Sequence, residues 1–130
     1  MRPTDRSQPR VLLVEDATDI RDVFQMLLES EGAEVVATGS GREAASLAER
    51  QEFDVILTDL GLPDISGEAV IRHARRNARR RPRIVVVTGY DEPFTGRARA
   101  AGADVVLTKP VLWSSLMEEL FLDQDDRVAA

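Results

Sequence analysis

The sequence predicts an α/β domain built on a doubly wound, five-stranded parallel sheet with helices on both faces. Apolar runs rich in valine and isoleucine alternate five times with segments of helical periodicity between residues 11 and 122. Strands that are almost continuously apolar are typical of a parallel sheet, because such a sheet is covered on both faces. Right-handed crossovers between parallel strands then distribute the helices over both sides.

The first two strands are predicted at residues 11–14 and 35–37, with a helix between them that ends at Gly32. In that helix, apolar residues recur at the spacing of one helix face. They are Ile20, Val23, Phe24, Leu27 and Leu28. Ser40 is predicted to cap a second helix. Its inward-facing residues are Ala44, Ala45, Leu47 and Ala48.

The third strand is predicted at residues 55–58, directly before Asp59, and residues 60–66 form the loop after it. A third helix begins after Gly67 and faces the sheet through several apolar residues. They are Val70, Ile71 and Ala74. The fourth strand ends at Thr88, which completes the central part of the predicted sheet.

The fourth helix, at about residues 93–101, has the least regular pattern. It contains Gly96, which costs about 1 kcal/mol relative to alanine inside a helix. The fifth strand ends near Thr108, and a last helix is predicted from about residue 112 to residue 122. These boundaries give a flexible N-terminal tail at residues 1–9, one domain at residues 10–122 and a C-terminal tail at residues 123–130.

Composition excludes several classes of protein. With 130 residues and a hydrophobic fraction of 43%, the chain is long enough for one well-formed core. It has no cysteine, so disulfide frameworks and thiolate metal sites are excluded. No run approaches the length of a membrane span, and the N-terminus lacks the apolar core of a signal peptide. We therefore expect a cytoplasmic protein, and Met1 together with the polar C-terminus favours a complete chain.

The charge of the chain is uneven. Its net charge is −6, yet residues 72–83 contain seven arginines and no acid. We interpret this run as a solvated helix end and loop, since it is short and has no interleaved aromatic residues for binding nucleic acid. No direct DNA binding is expected. His73, the only histidine, is expected to be exposed and without a role.

Polar residues follow four of the predicted strands at the points where the strands end. They are Glu15, Asp16, Asp59, Thr88 and Lys109. Lys109 is the only lysine, whereas sixteen arginines carry all other side-chain positive charge apart from histidine. An ammonium is a compact point charge suited to one phosphate oxygen or carboxylate. Because ligands of such sheets bind beyond the carboxyl ends of the strands, these residues predict a phosphoryl-transfer site.

The three acids of this set predict a metal ion. Carboxylates that are brought together repel one another, and a hard divalent cation such as Mg²⁺ relieves this repulsion. Asp16 and Asp59 can each supply one oxygen, Glu15 is expected to act through water, and the backbone carbonyl of Gly61 can supply a further oxygen.

Asp59 is the predicted nucleophile, because it stands alone on a loop that a phosphate donor can approach. An aspartyl phosphate is an established type of covalent intermediate. Lys109 would neutralise charge on the phosphoryl oxygens. The Thr88 hydroxyl and the backbone amide of Gly89 would donate hydrogen bonds to another of these oxygens.

The order and spacing of these residues resemble the receiver domain of two-component response regulators, over residues 10–122. The matching pieces are Val-Glu15-Asp16, Thr-Asp59-Leu-Gly-Leu-Pro63-Asp-Ile-Ser-Gly67, Val-Thr88-Gly89 and Gly102-Ala103-Asp-Val-Val-Leu-Thr-Lys109-Pro110. Each piece alone is weak, but the ordered set is very specific.

The resemblance implies a function and a set of roles. Asp59 would be the phosphoacceptor, Glu15 and Asp16 would hold Mg²⁺, Thr88 would be the switch hydroxyl, and Lys109 would contact the phosphoryl group. The donor would be a phosphohistidine on a sensor histidine kinase or a phosphotransfer protein, with signalling to a downstream protein target. The resemblance also implies a flavodoxin-like strand order, 2-1-3-4-5, and a cis peptide bond between Lys109 and Pro110.

Two features depart from the family pattern. Val106 occupies a position where the family has an aromatic residue that turns inward, and a β-branched side chain cannot perform that movement. The last helix opens with apolar residues and carries a second apolar stripe. The stripe is formed by Trp113, Met117 and Phe121. This stripe would contact a partner, or a second copy in a homodimer, unless it simply widens the buried face.

Tyr90, near the mouth of the site, would shield the phosphate or pack on its loop.

Other functions remain as alternatives. The chain could be a stand-alone receiver, a receiver segment of a hybrid histidine kinase, or a pseudo-receiver that is never phosphorylated. A magnesium-dependent phosphatase would need a second acid near Asp59, and Leu60 and Gly61 offer none, so the protein is expected to catalyse only its own phosphorylation and dephosphorylation. Residues 39–44 fit a dinucleotide-binding pattern, G-x-G-x-x-A. They lie at an edge strand of the expected sheet, and the acid needed for the ribose, Asp59, is already engaged elsewhere.

Overall fold

A computed structural model describes residues 8–121, in which strands and helices alternate along the chain. The strands are β1 (Arg10–Val14), β2 (Glu34–Thr38), β3 (Val55–Thr58), β4 (Arg83–Thr88) and β5 (Val105–Thr108). The helices are α1 (Thr18–Ser30), α2 (Gly41–Arg50), α3 (Gly67–Asn77), α4 (Phe94–Ala101) and α5 (Trp113–Leu120). Most of the two predicted tails lies outside the described residues.

The five strands form one parallel sheet in the order β2-β1-β3-β4-β5, which confirms the predicted fold class. The register aligns the strand ends. Val14 pairs with Thr38 of β2 and Thr58 of β3, while Thr88 pairs with Thr108 of β5. Because the strands are parallel and in register, the residues that follow β1, β3, β4 and β5 emerge at one edge of the sheet.

Each face of the sheet carries its own hydrophobic core. Helices α2, α3 and α4 cover one face, where their apolar side chains pack on Leu12, Ile56 and Ile84. Helices α1 and α5 cover the other face and bury Leu28 and Leu116 against the sheet. Full burial of a large aliphatic side chain contributes about 1.5–3 kcal/mol, so these two layers account for the cohesion of the fold. Within residues 8–121, no helix has both the length and the hydropathy needed to cross a membrane.

The predicted inward face of α1 is partly wrong. Leu28 is fully buried and Phe24 packs against the ring of Trp113, with ring centroids 5.9 Å apart. Ile20 and Val23, however, are 41% and 47% exposed. The helix packs on the sheet and on α5, so the side that carries Phe24 and Leu28 is covered while Ile20 and Val23 are exposed.

Helix ends and peptide geometry follow the prediction closely. The Ser40 hydroxyl accepts a hydrogen bond from the amide of Glu43 at 3.1 Å, which confirms the predicted cap of α2. Helix α4 begins one residue later than predicted, and α5 is confirmed with a shorter span. The bond between Lys109 and Pro110 is cis, as the resemblance implied, and the bond between Glu92 and Pro93 is cis as well.

The arginine-rich run at residues 72–83 is tied into the fold. Within residues 8–121, five of its seven arginines form salt bridges with nearby acids. They are Arg72, Arg75, Arg80, Arg81 and Arg83. His73 contacts Glu49 at 3.0 Å. These pairs favour a structural role for the run and argue against a patch that binds nucleic acid.

Arg75 joins three parts of the chain, and we expect Arg75→Met to destabilise the protein by about 2–3 kcal/mol. Its guanidinium donates to the carbonyls of Gly102 at 2.9 Å and Pro82 at 2.7 Å, and to the Asp104 carboxylate at 2.7 Å. Removing it takes this donor from the two backbone carbonyls and leaves Asp104 with the amide of Ile84 as a remaining donor. Urea unfolding measures the loss. Arg76→Met is the matched control, because Arg76 is exposed, and equal unfolding free energies for the two variants would contradict the prediction.

Candidate functional site

The centre of the site is a contact between Lys109 and Asp59. The Nζ of Lys109 lies 3.0 Å from Oδ2 of Asp59 and 4.0 Å from Oε1 of Glu15. These three residues follow β5, β3 and β1, which are brought to the same edge by the parallel register. The backbone amide of Lys109 donates to the carbonyl of Thr88 at 2.8 Å, which anchors the lysine beside the end of β4. The structure thus brings the predicted ammonium and the predicted nucleophile together.

Glu15 is the most buried acid of the site. It is 4% exposed, and its Oε2 accepts a hydrogen bond from the amide of Ala17 at 3.1 Å. Burial raises the pKa of Glu15 above its usual value, and the charges of Asp59 and Asp16 act in the same direction. The Ala17 amide and Lys109 oppose this rise without cancelling it. A buried carboxylate with two acidic neighbours is therefore short of positive charge.

The acids do not form a closed ligand set. In the part of the chain that the structure describes, no group of three or more acidic or histidine side chains is arranged as a ready-made metal site. Asp16 is exposed, whereas Glu15 is buried and Asp59 is paired with Lys109. The donor chemistry nevertheless fits a hard cation, because all the groups offer oxygen and Glu15 lacks full charge compensation. The ligand set of Glu15, Asp16, Asp59 and the Gly61 carbonyl stays a prediction.

The position of Glu15 allows a test of this electrostatic balance. Because its pKa is raised on folding, the folded protein binds the proton more tightly than the unfolded chain does. Stability should therefore fall as pH rises from the usual carboxyl range through the raised pKa. We expect Glu15→Gln, which keeps an acceptor for the Ala17 amide, to melt at a higher temperature than wild type at neutral pH without Mg²⁺.

The melting temperatures can be measured by calorimetry across a pH series. The advantage of Glu15→Gln should vanish below the usual carboxyl range, where wild-type Glu15 is protonated in both states. Added Mg²⁺ should raise the melting temperature of wild type more than that of the variant. A wild type that is the more stable protein at neutral pH without metal would show that attraction to Lys109 outweighs the cost of burial.

Asp59 is held by its own loop. Its Oδ1 accepts a hydrogen bond from the amide of Leu60 at 2.6 Å, and its side chain is 14% exposed. Gly67, at the start of α3, also fixes the loop, because its amide donates to the carbonyl of Leu60 at 2.8 Å. A Cβ atom at Gly67 would lie 2.1 Å from the carbonyl oxygen of Asp59. Only glycine lets the first turn of α3 approach the Asp59 loop so closely.

Thr88 and Gly89 occupy the predicted positions at the end of β4. Thr88 is fully buried, and its hydroxyl oxygen accepts a hydrogen bond from the amide of Tyr90 at 3.1 Å. As an acceptor in this turn, the hydroxyl keeps its own proton for another group. Gly89 is exposed, so its backbone amide can be reached from the edge of the sheet.

Tyr90 packs over the loop that follows Asp59. A Cβ atom at Gly61 would lie 2.6 Å from the Tyr90 hydroxyl, and the Tyr90 and Phe94 rings lie 5.2 Å apart. Beside them is an open cavity of about 300 Å³, lined by this loop and by Phe94 and Arg97 of α4. Tyr90 remains 45% exposed. Packing on the loop is therefore established, while shielding of a phosphate stays a prediction.

The remaining predicted surface residues are half-buried. Val106 packs against the core under α3 and α4, in place of an aromatic ring. Trp113, Met117 and Phe121 pack on the core under α1 and α5. A contact of this stripe with a partner or a second copy stays a prediction.

Asp64 is a structural residue that the sequence did not reveal. Its carboxylate accepts hydrogen bonds at the start of α2, from the amides of Gly41 at 2.8 Å and Arg42 at 3.0 Å and from the hydroxyl of Ser40 at 2.7 Å. These donors hold the pKa of Asp64 far below its usual range. The helix N-terminus that matched a dinucleotide-binding pattern is thus filled by a carboxylate of the protein itself.

Comparisons with known proteins agree with this geometry. A family model described as the response regulator receiver domain matches residues 11–121. The cell cycle transcriptional regulator CtrA of Caulobacter vibrioides (strain NA1000 / CB15N) is 39% identical over 102 residues, which are 78% of this chain and 44% of that protein. The chain therefore spans less than half the length of this curated relative.

Solved structures show the same fold. A response regulator receiver domain protein (CheY-like) from Methanospirillum hungatei JF-1 is 31% identical, with a TM-score of 0.85 over 94% of this chain and 98% of that chain. The receiver domain of the sensor histidine kinase PA1611 from Pseudomonas aeruginosa PAO1 is 31% identical, with a TM-score of 0.80 over 88% of this chain and 96% of that chain. That structure has a magnesium ion coordinated in its active site cleft. The present chain has the same strand order and carries the expected residues at its strand ends. Together with these matches, this shows that the chain belongs to the response regulator receiver domains of two-component systems.

Proposed function

We propose that this receiver domain accepts a phosphoryl group on Asp59 from a phosphohistidine donor, with Mg²⁺ as cofactor, and signals through protein contacts. The observation that carries the proposal is the 3.0 Å contact between the Lys109 ammonium and the Asp59 carboxylate. It places a point charge beside the nucleophile at the edge of the sheet. The buried Glu15 carboxylate next to it supplies the negative charge that a metal ion requires.

The transfer step follows from these positions. A carboxylate oxygen of Asp59 attacks the phosphorus, a P–O bond forms, and the P–N bond to the donor imidazole breaks. The imidazole leaves with the electron pair of that bond, and it leaves as a neutral group because its other ring nitrogen carries a proton. Lys109 and the Thr88 hydroxyl stabilise the phosphoryl oxygens, together with the backbone amide of Gly89. Bound Mg²⁺ would supply further neutralisation of these oxygens, held by Glu15, Asp16, Asp59 and the Gly61 carbonyl.

The proposal is tested by measuring intact mass after incubation with acetyl phosphate. We expect a single phosphoryl adduct in the presence of Mg²⁺ and none with a chelator. In this reaction the P–O bond to acetate breaks and acetate leaves. If no adduct forms with Mg²⁺ and none forms with a phosphohistidine donor either, the pseudo-receiver alternative replaces the proposal.

The donor is proposed to dock on α1. The exposed Ile20 and Val23 lie on the first turns of this helix, just after the loop that carries Asp16, and a donor must reach that edge to approach Asp59. Exposed acids beside them, Asp19 and Asp22, favour a partner with an apolar stripe and a basic rim. This surface differs from the last-helix stripe that the sequence suggested.

We expect Val23→Asp to slow phosphoryl transfer from a phosphohistidine donor about tenfold, a loss of about 1.4 kcal/mol of docking energy. Labelling by acetyl phosphate should be unchanged, since this small donor needs no docking surface. Leu112→Asp is the matched control, because Leu112 is 72% exposed at the start of α5. A slower transfer in Leu112→Asp and not in Val23→Asp would assign the docking surface to the last helix.

The domain is proposed to act either alone or as a segment of a hybrid histidine kinase. PA1611 is a sensor histidine kinase and CtrA is a transcriptional regulator, and this chain resembles part of each. A stand-alone receiver and a receiver segment of a hybrid kinase would use the same site. In both cases we propose that the domain catalyses only its own phosphorylation and dephosphorylation. A cytoplasmic location also stays a prediction.

A further inference from the structure

Arg21 of α1 contacts the backbone at the edge of the sheet where Glu15 and Asp16 lie. Its Nη1 donates a hydrogen bond to the backbone carbonyl of Glu15 at 2.9 Å. The side chain is partly buried and runs back from the helix to the loop that joins β1 to α1. The carbonyl that it contacts belongs to the peptide group joining Glu15 to Asp16. Neither the strand pattern nor the proposed chemistry accounts for this arginine.

Gly39 provides the space for the guanidinium. A Cβ atom at this position would lie 2.6 Å from Nη1 of Arg21, whereas Asp16 Cα and the Glu15 carbonyl oxygen would lie at an ordinary 3.5 Å. Gly39 directly follows β2, and the residue before it, Thr38, accepts a hydrogen bond from the Glu15 amide at 3.0 Å. Glu15 is thus fixed at its nitrogen by β2 and at its carbonyl by Arg21.

We propose that Arg21, seated against Gly39, is a positioning residue for the metal site. By holding the Glu15–Asp16 peptide in one orientation, it directs the Asp16 side chain toward the Mg²⁺ that the proposed function requires, and the inference rests on that function. Glu15 is held by burial, and Asp59 is held by Lys109 and Leu60. Asp16 is exposed, so its orientation depends on the backbone that Arg21 holds. Residues that orient metal ligands commonly change metal affinity by about 10–100-fold when they are removed.

Electrostatics alone predicts the opposite sign. Removing a positive charge near three carboxylates makes the site more negative, which should strengthen Mg²⁺ binding. If Arg21 acts only as a nearby charge, Arg21→Met will bind Mg²⁺ more tightly. If Arg21 positions the peptide, Arg21→Met will bind it more weakly. The direction of the change therefore separates the two roles.

The experiment measures Mg²⁺ affinity of the full chain by isothermal titration calorimetry. We expect Arg21→Met and Gly39→Ala each to weaken binding about tenfold. Gly39→Ala keeps every charge, and its methyl group comes too close only to the end of the long Arg21 side chain, which can rotate away, so we expect the fold to be retained. Arg21→Lys should recover part of the affinity. Arg42→Met, an exposed arginine at the start of α2, is the charge-matched control and should bind as tightly as wild type or more tightly.

Three outcomes overturn the inference. The first is unchanged or tighter Mg²⁺ binding by Arg21→Met, and the second is wild-type affinity in Gly39→Ala. The third is an equal loss of affinity in Arg42→Met, which would show that the loss does not depend on the contact between Arg21 and the Glu15 carbonyl. If wild type itself binds no Mg²⁺, the proposed function fails before any variant is compared, so the two failures are distinguishable.

Discussion

Asp59→Asn is expected to abolish the phosphoryl adduct on this protein completely. The amide of asparagine has the shape of the carboxylate but not its charge, and an amide oxygen does not form a stable acyl phosphate. The variant also removes the negative partner that lies 3.0 Å from Lys109. Intact mass after incubation with acetyl phosphate and Mg²⁺ measures the loss, and circular dichroism shows whether the fold is retained.

Asp91→Asn is the matched control for this loss. Asp91 is an exposed acid in the segment between β4 and α4, outside the site. The control removes the same charge and should be phosphorylated like wild type. An adduct of full yield on Asp59→Asn would place the nucleophile elsewhere. Fragmentation of the labelled chain would then have to identify it, with Asp16 and Glu15 as the nearest acids.

Gly67→Ala is expected to cost about 3 kcal/mol of stability and to slow phosphorylation of Asp59. The added methyl group would lie 2.1 Å from the carbonyl oxygen of Asp59 and 2.8 Å from Cα of Leu60. Both atoms belong to the backbone, so no side chain can rotate away. The first turn of α3 and the nucleophile loop would have to separate, which displaces the carboxylate from Lys109.

The matched control for Gly67→Ala is Gly89→Ala, at the neighbouring strand end. A Cβ atom there meets nothing within 4 Å, and its stability should stay within about 0.5 kcal/mol of wild type. Unfolding in urea gives both free energies, and acetyl phosphate labelling gives both rates. If Gly67→Ala unfolds at the same urea concentration as wild type, the close approach of α3 to the Asp59 loop is wrong.

The strands and the residues at their ends were predictable because both depend on short stretches of sequence. An apolar run such as residues 84–87 is long enough to identify a buried strand, and Thr88 comes directly after it. Parallel strands then bring their ends together without further information. Asp59 and Lys109 could therefore be predicted to share one site although 50 residues separate them.

The remainder depends on contacts between distant elements. The period of α1 identified an apolar face, yet it could not show that the neighbours of the helix cover Leu28 and leave Val23 exposed. The hydrogen bonds of Asp64 to the start of α2 could not be predicted, because its partners lie 22–24 residues away. The contact of Arg21 with the Glu15 carbonyl could not be predicted either, since it depends on the absence of a side chain at Gly39. The residues at the strand ends are thus predictable from the sequence, whereas the residues that hold them in place are not.

The unusual basic composition of the chain gives the site a chemical handle. Of all the side chains in the protein, only Lys109 carries a primary amine, and it lies against the nucleophile with about a third of its side chain open to solvent. Reagents that acylate amines do not modify guanidinium groups under the same mild conditions, so the sixteen arginines are silent toward them. The native protein thus carries one side-chain amine as a reporter, 3.0 Å from the carboxylate on which phosphorylation is proposed.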